Sequence, residues 1–231
     1  MMTTYEQTRW QLDDLFPGRD SDEMKAGFEA LEATVSAFEA RRGELTSEIS
    51  PAALLDFVTQ MENIYRLGYR VYGFAALWFS ENTQNQDAQT FMGKVQQIFA
   101  QLQNRILFFS LWWKDVDDEN AERLMKEAGV YAYFLREMRN FKPYTLTEAE
   151  EKILNIKNVT GPNALTTLYE TITNRFQFEF EVEGEKQTLT RDALMTYAFS
   201  ADASLRERAF KTLYATYKKE GPILGQIYQY L

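Results

Sequence analysis

The chain has 231 residues and 27.0 kDa, with Lys+Arg 25 against Asp+Glu 34 and a net charge of -9. That length buries enough surface to hold a core without staples, and the negative field repels nucleic-acid backbones and anionic membranes. Cys is 0 and His is 0, which excludes disulfides, thiolate metal sites and cysteine nucleophiles. It also excludes any triad, zinc site or di-iron bundle that needs imidazole from this chain.

Gly 11 and Pro 5 fall well below the usual ~12% combined share, so long helices are expected. Ser21 is a candidate N-cap, and Met24, Phe28, Leu31, Val35 and Phe38 recur at helical spacing. Gly43 is positioned to end that helix as a left-handed C′ residue. Ser50-Pro51 opens a second helix with Pro at its first position. Its apolar face runs through Leu54, Val58, Met61, Tyr65, Val71 and Tyr72 to about Phe79. After the polar stretch Ser80–Gln86, a third helix runs from about Asp87 to Lys114. Two long helices with a short connection predict an antiparallel helix hairpin.

Shorter helices follow over Asp117–Ala128 and Tyr131–Phe141, broken at Gly129 and stopped at Pro143. Thr147 and Glu150 have the spacing of a capping box, opening a helix to about Asn158. Gly161-Pro162 opens another, to about Arg175. The period then changes to strict alternation over Phe176–Val182, a half-buried strand, with a turn at Glu183–Lys186 and a return strand over Gln187–Thr190. Helices resume over Thr190–Phe199 and Asp202–Glu220, Gly221-Pro222 is read as a break, and Ile223–Leu231 starts another helical pattern. The fold class is mainly α, a multi-helix array with one small β-hairpin. The uncharged ending QIYQYL predicts a chain that stops inside a longer protein.

The opening MMTTYEQTRW has no basic start or apolar stretch of a signal peptide. The apolar runs Gly73–Phe79 and Ile106–Trp113 are far shorter than the ~20 residues a bilayer requires. No membrane or nucleic-acid partner is expected, and the expected location is cytoplasmic.

No catalytic constellation stands out. Asp115, Asp117, Asp118 and Glu119 lack the ligand spacing of a calcium loop and read as a solvated helix start. Glu148, Glu150 and Glu151 are explained by the capping box. The aromatic stripes Tyr65, Tyr69, Tyr72 and Phe108, Phe109, Trp112, Trp113 are either helix core or the lining of a peptide groove. Arg66 and Arg70, Arg136 and Arg139, and Arg206 and Arg208 are either receivers of a peptide carboxylate or partners in surface ion pairs. There is no Gly-rich phosphate loop and no nucleophile elbow.

Three stretches in order carry a family resemblance. They are Trp10-Gln11-Leu12-Asp13-Asp14-Leu15-Phe16; Leu146–Leu154 followed by Gly161, Ala164, Leu168 and Tyr169; and, after the strand pair Phe176–Thr190, Ser200, Asp202, Arg206 and Ala209. Together the chain resembles the amino-terminal portion of the oligoendopeptidase F family of zinc metallopeptidases, relatives of thimet oligopeptidase. Leu165 departs from the Trp often found there. The resemblance implies helical lobes walling a channel that admits short peptides, and a zinc ion held by His-Glu-x-x-His elsewhere in the full-length parent. No position here matches that motif, so no catalytic, cofactor-binding or metal residue is carried over, and the chain alone is expected to be inactive.

On this reading, residues 1–145 form a helical lobe, 146–199 a linking segment of helices and β-hairpin, and 200–231 the start of a catalytic domain. Helices between Ser50 and Lys114 are expected to wall the channel, and the strand pair to pack near the catalytic junction. An apolar face meant for the remainder could drive self-association. The alternative is a stand-alone helical interaction module without catalysis.

Overall fold

The computed structural model describes residues 10–182 and 184–231. Contacts divide the chain into two compact units, Met1–Val159 and Thr160–Leu231.

In the first unit, α1 (Asp22–Ala40), α2 (Pro51–Glu81) and α3 (Gln86–Asp115) carry most of the core. Ser21 caps α1 by accepting from the Met24 N–H, and Ser50 caps α2 by accepting from the Ala53 N–H. Asn85 caps α3 after a short turn. Phe57 meets Phe109, Gly68 faces Phe99, and Phe74 meets Phe91. Partner numbers fall on α3 as they rise on α2, so the two helices form the expected antiparallel hairpin. Gly68 permits the close approach, since a Cβ there would lie 3.0 Å from the Phe99 ring.

Phe38 of α1 sits among Phe57, Phe108 and Phe109 at centroid separations of 5.5, 5.4 and 6.0 Å. Arg105 of α3 fastens the same helix from outside. Its guanidinium donates to Glu32 (2.6 Å), Ser36 (2.7 Å) and Glu39 (2.8 Å). A second cluster gathers Phe16, Met24, Phe74, Phe79, Phe91 and Val95.

Helix α1 ends earlier than Gly43 predicts. It stops at Ala40, and Gly43 lies in a 3₁₀ turn over Arg42–Glu44 without positive φ. Arg41 explains the stop. Its guanidinium lies 4.2 Å over the Phe57 ring and pairs with Glu44 and Asp56, closing the turn without a left-handed residue. Gly129, by contrast, takes φ 53 between α4 (Asp118–Lys126) and α5 (Ala132–Asn140), as a helix breaker should.

Helix α5 has only 9 residues and is fixed by side chains of α3. The buried Trp113 Nε1–H donates to the Leu135 carbonyl at 2.8 Å. Arg139 donates to the Trp113 carbonyl (2.7 Å) and to Asp118 (2.6 Å), with its guanidinium 5.5 Å from the indole centroid. Helix α6 (Glu148–Thr160) has no buried side chain. It is held by polar bonds: Arg42 to Glu148, Asn104 to the Lys152 carbonyl, and Asn155 to Asn104. Its start is the predicted capping box, with the Thr147 N–H donating to Glu150 at 2.9 Å.

In the second unit, α7 (Pro162–Thr173) leads to the antiparallel pair β1 (Phe178–Val182) and β2 (Glu185–Leu189). Phe178 and Phe180 point inward while Glu179 and Glu181 face solvent, as the alternation predicts. Phe176 falls outside the strand because its would-be partner chain has already entered α8 (Arg191–Ala198). Its ring packs edge-on to Tyr217 instead, at 5.2 Å. The predicted turn residue Glu183 lies outside the described residues, and Gly184 has φ 84. The strands pack on α8 and on α9 (Ala203–Tyr230) around Phe178, Phe180, Leu194, Ala198 and Ala209.

Helix α9 overturns the predicted break at Gly221-Pro222, because it runs through both residues. Pro222 removes the donor to the Lys218 carbonyl, and both residues are exposed. Water can accept the role of the lost N–H, so the helix continues.

Trp113→Phe would leave the buried Leu135 carbonyl without its donor and open space beside Arg139. A loss of about 2 kcal/mol is expected, measured as a lower urea midpoint at unchanged m-value.

Candidate functional site

Helices α2 and α3 run side by side, and α5 is pinned to α3 by Trp113. These elements, with one residue of α6, enclose a groove of about 750 Å³. Tyr65 and Tyr69 from α2, Leu107 from α3, and Tyr131, Phe134 and Met138 at α5 supply its aromatic and apolar lining. Among the described residues, Glu62 is the one charged side chain in that lining. Glu62, Tyr65 and Tyr69 follow one helix face, as do Tyr131, Phe134 and Met138.

Tyr69 is 64% exposed and Tyr65 38%, with their rings stacked at 6.0 Å and 23°. Burial, then the neighbouring Tyr69, holds the Tyr65 hydroxyl above the ordinary tyrosine range. The Tyr131 hydroxyl donates to Glu62 Oε2 at 2.6 Å. That bond, followed by burial, raises the Tyr131 pKa, because the phenolate would face a carboxylate.

The structure divides the aromatic stripes between their two readings. Phe108, Phe109 and Trp113 are core, Tyr72 and Trp112 are partly buried, and Tyr65 and Tyr69 face the groove. Glu62, Phe134, Met138 and Asn155 were not marked by sequence. The spacing of Glu62 with Tyr65 and Tyr69 was the available signal.

Most of the arginines act within the fold. Arg70 donates to the Leu15 carbonyl and covers Phe16 at 4.4 Å, Arg66 donates to Asn63, and Arg139 supports Trp113. Arg206 donates to the carbonyls of Ser200 and Ala201, and Arg208 lies 5.4 Å from the Phe180 ring. Arg136 is exposed. Asp117 caps α4, which lowers its pKa chiefly through the Asn120 N–H, and Asp118 pairs with Arg139.

A second cleft of about 580 Å³ lies beside Trp112, Leu111, Arg42, Lys142 and Glu148. Glu148 accepts from Arg42 at 3.0 and 2.7 Å and from Lys152 at 2.7 Å. These bonds, Arg42 first, lower its pKa to about 2.

The family model described as Oligopeptidase F matches residues 112–178. The chain is similar to the amino-terminal portion of the oligoendopeptidase F family. Oligopeptidase PepF of Bacillus subtilis (strain 168) is 22% identical over 90% of this chain and 31% of its own length. Group B oligopeptidase PepB of Streptococcus agalactiae is 24% identical over 93% of this chain and 36% of its own. The chain therefore spans about a third of the length of these curated relatives. A crystal structure from Chlamydophila abortus, named as that of a peptidase, aligns with 92% of this chain and 36% of its own at TM-score 0.44 and 16% identity. That superposition is too loose to bear on the fold.

The donor set of this chain does not fit the zinc ion implied by oligoendopeptidase F. Imidazole and thiol are missing from the sequence. Among the described residues, no three carboxylates are gathered to hold a metal ion. No helix among them is long and apolar enough to cross a membrane.

Two measurements test this assignment of roles. Phe109→Ala should cost about 3–5 kcal/mol in urea unfolding, whereas Tyr69→Ala at the groove should cost under about 1 kcal/mol. The Glu148 carboxylate, with its pKa depressed in the folded state, stabilises fully above the ordinary glutamate range and loses that contribution as pH falls toward about 2. Since the Arg42 side chain is 55% exposed, the contribution is discounted to roughly 1 kcal/mol. Glu148→Gln should be less stable than the native chain at pH 7, with the gap closing by pH 2.

Proposed function

We propose that this chain is the substrate-channel-forming, amino-terminal portion of a zinc-dependent, cytoplasmic oligoendopeptidase that hydrolyses short peptides. The groove between α2, α3 and α5 is the observation that carries the proposal. Its volume of about 750 Å³ falls in the range of small-ligand sites, and its exposed rings offer contact area to a peptide at low entropic cost. The similarity to PepF and PepB over most of the chain supports the same reading.

On this proposal residues 1–145 form a helical lobe whose helices between Ser50 and Lys114 wall the channel, 146–199 are a linking segment, and 200–231 begin the catalytic portion. Zinc and its ligands belong to sequence outside these 231 residues, so the chain alone is inactive. Ile153, Leu154 and Ile156 of α6 are 61%, 45% and 54% exposed. Such a face supports docking of the remainder or, without it, self-association.

The purified chain, with zinc added, should leave an internally quenched fluorogenic peptide uncut. Cleavage that a chelator abolishes would overturn the proposal. The encoding reading frame should continue beyond Leu231 into a His-Glu-x-x-His helix; a natural stop codon there would favour the stand-alone interaction module.

A further inference from the structure

We propose that the groove selects peptides carrying a cationic side chain, arginine above all, flanked by apolar residues. The inference rests on the reading of the groove as a peptide-contacting surface and adds what that surface prefers. Charge complementarity carries it. Among the described residues, Glu62 is the only charged group in the lining, and no cation of the chain stands within ion-pair distance of it. Arg66, one helical turn further on, is turned instead to Asn63 Oδ1 at 2.7 Å. The Tyr131 hydroxyl occupies Glu62 Oε2, which orients the carboxylate and leaves Oε1 to accept from a ligand.

The neighbouring surface suits a guanidinium more than an ammonium. Tyr65 and Tyr69 present stacked rings one and two turns from Glu62 on the same helix face, and a planar cation stacks on such faces while donating sideways to a carboxylate. Phe134, Met138, Leu107 and Val58 supply the apolar bed for the flanking residues. An acidic peptide would meet both Glu62 and the net charge of -9 without a compensating cation in the lining.

Fluorescence anisotropy on the 231-residue chain tests this with three dye-labelled pentapeptides, capped at both ends. They place arginine, citrulline or glutamate between two leucines. The arginine peptide should bind roughly fivefold tighter than the citrulline peptide, and the glutamate peptide weakest. Glu62→Gln should erase the arginine preference while keeping citrulline binding. Tyr69→Ala should weaken the arginine peptide more than the citrulline one. Both positions are exposed, so both variants should fold, as circular dichroism would verify. A citrulline peptide with a free amino terminus separates the sources of charge; if it matches the capped arginine peptide, the preference for a side-chain cation is overturned. Saturable binding that ignores arginine against citrulline would overturn this inference and leave the groove reading standing. Absence of saturable binding by every peptide would overturn both.

Discussion

The indole N–H of Trp113 holds the Leu135 carbonyl at 2.8 Å, and the geometry of the groove depends on that bond. A 9-residue helix such as α5 is too short to be stable alone. It acquires a fixed position because one buried donor, one buried leucine and the Arg139 guanidinium all meet α3. With α5 placed, Tyr131, Phe134 and Met138 stand opposite Tyr65 and Tyr69. Without it those side chains would belong to separate surfaces. A buried hydrogen bond contributes only about 1 kcal/mol net, but leaving its acceptor empty costs more, so the bond specifies position more strongly than it adds stability.

The sorting of aromatic residues follows the same logic. Phe38, Phe57, Phe108 and Phe109 contact one another from three helices and exclude water. Tyr65 and Tyr69 lie on α2 with the same helical period, yet face outward where α5 leaves space. Their hydroxyls tolerate that half-wet setting, as tyrosine at recognition surfaces generally does.

Helix boundaries were legible wherever a single residue governs them locally. Ser21, Ser50, Thr147 and Thr190 each accept or exchange a bond within a few residues. The inward phenylalanines of β1 were equally legible from their alternation. Sequence failed where the deciding partner is remote or is water. Arg41 stops α1 through Phe57 and Asp56 on another helix, so Gly43 was a false signal. Pro222 marks a local cost that an exposed helix tolerates. The groove was half legible. Tyr65 and Tyr69 are a visible stripe, but Glu62 gains meaning from Tyr131, 69 positions away, and no periodicity reports that pairing.

Arg105 has a consequence for motion. Apolar attraction between helices is non-directional, whereas a guanidinium fixes both distance and angle. The three acceptors on α1 lie successive turns apart and are taken by different nitrogens of one rigid fork. Displacing α1 along its axis by a turn, about 5.4 Å, would break all three bonds at once and draw Phe38 out from among Phe57, Phe108 and Phe109. The guanidinium thus works as a detent, adding a directional check to the notch that the ring packing occupies.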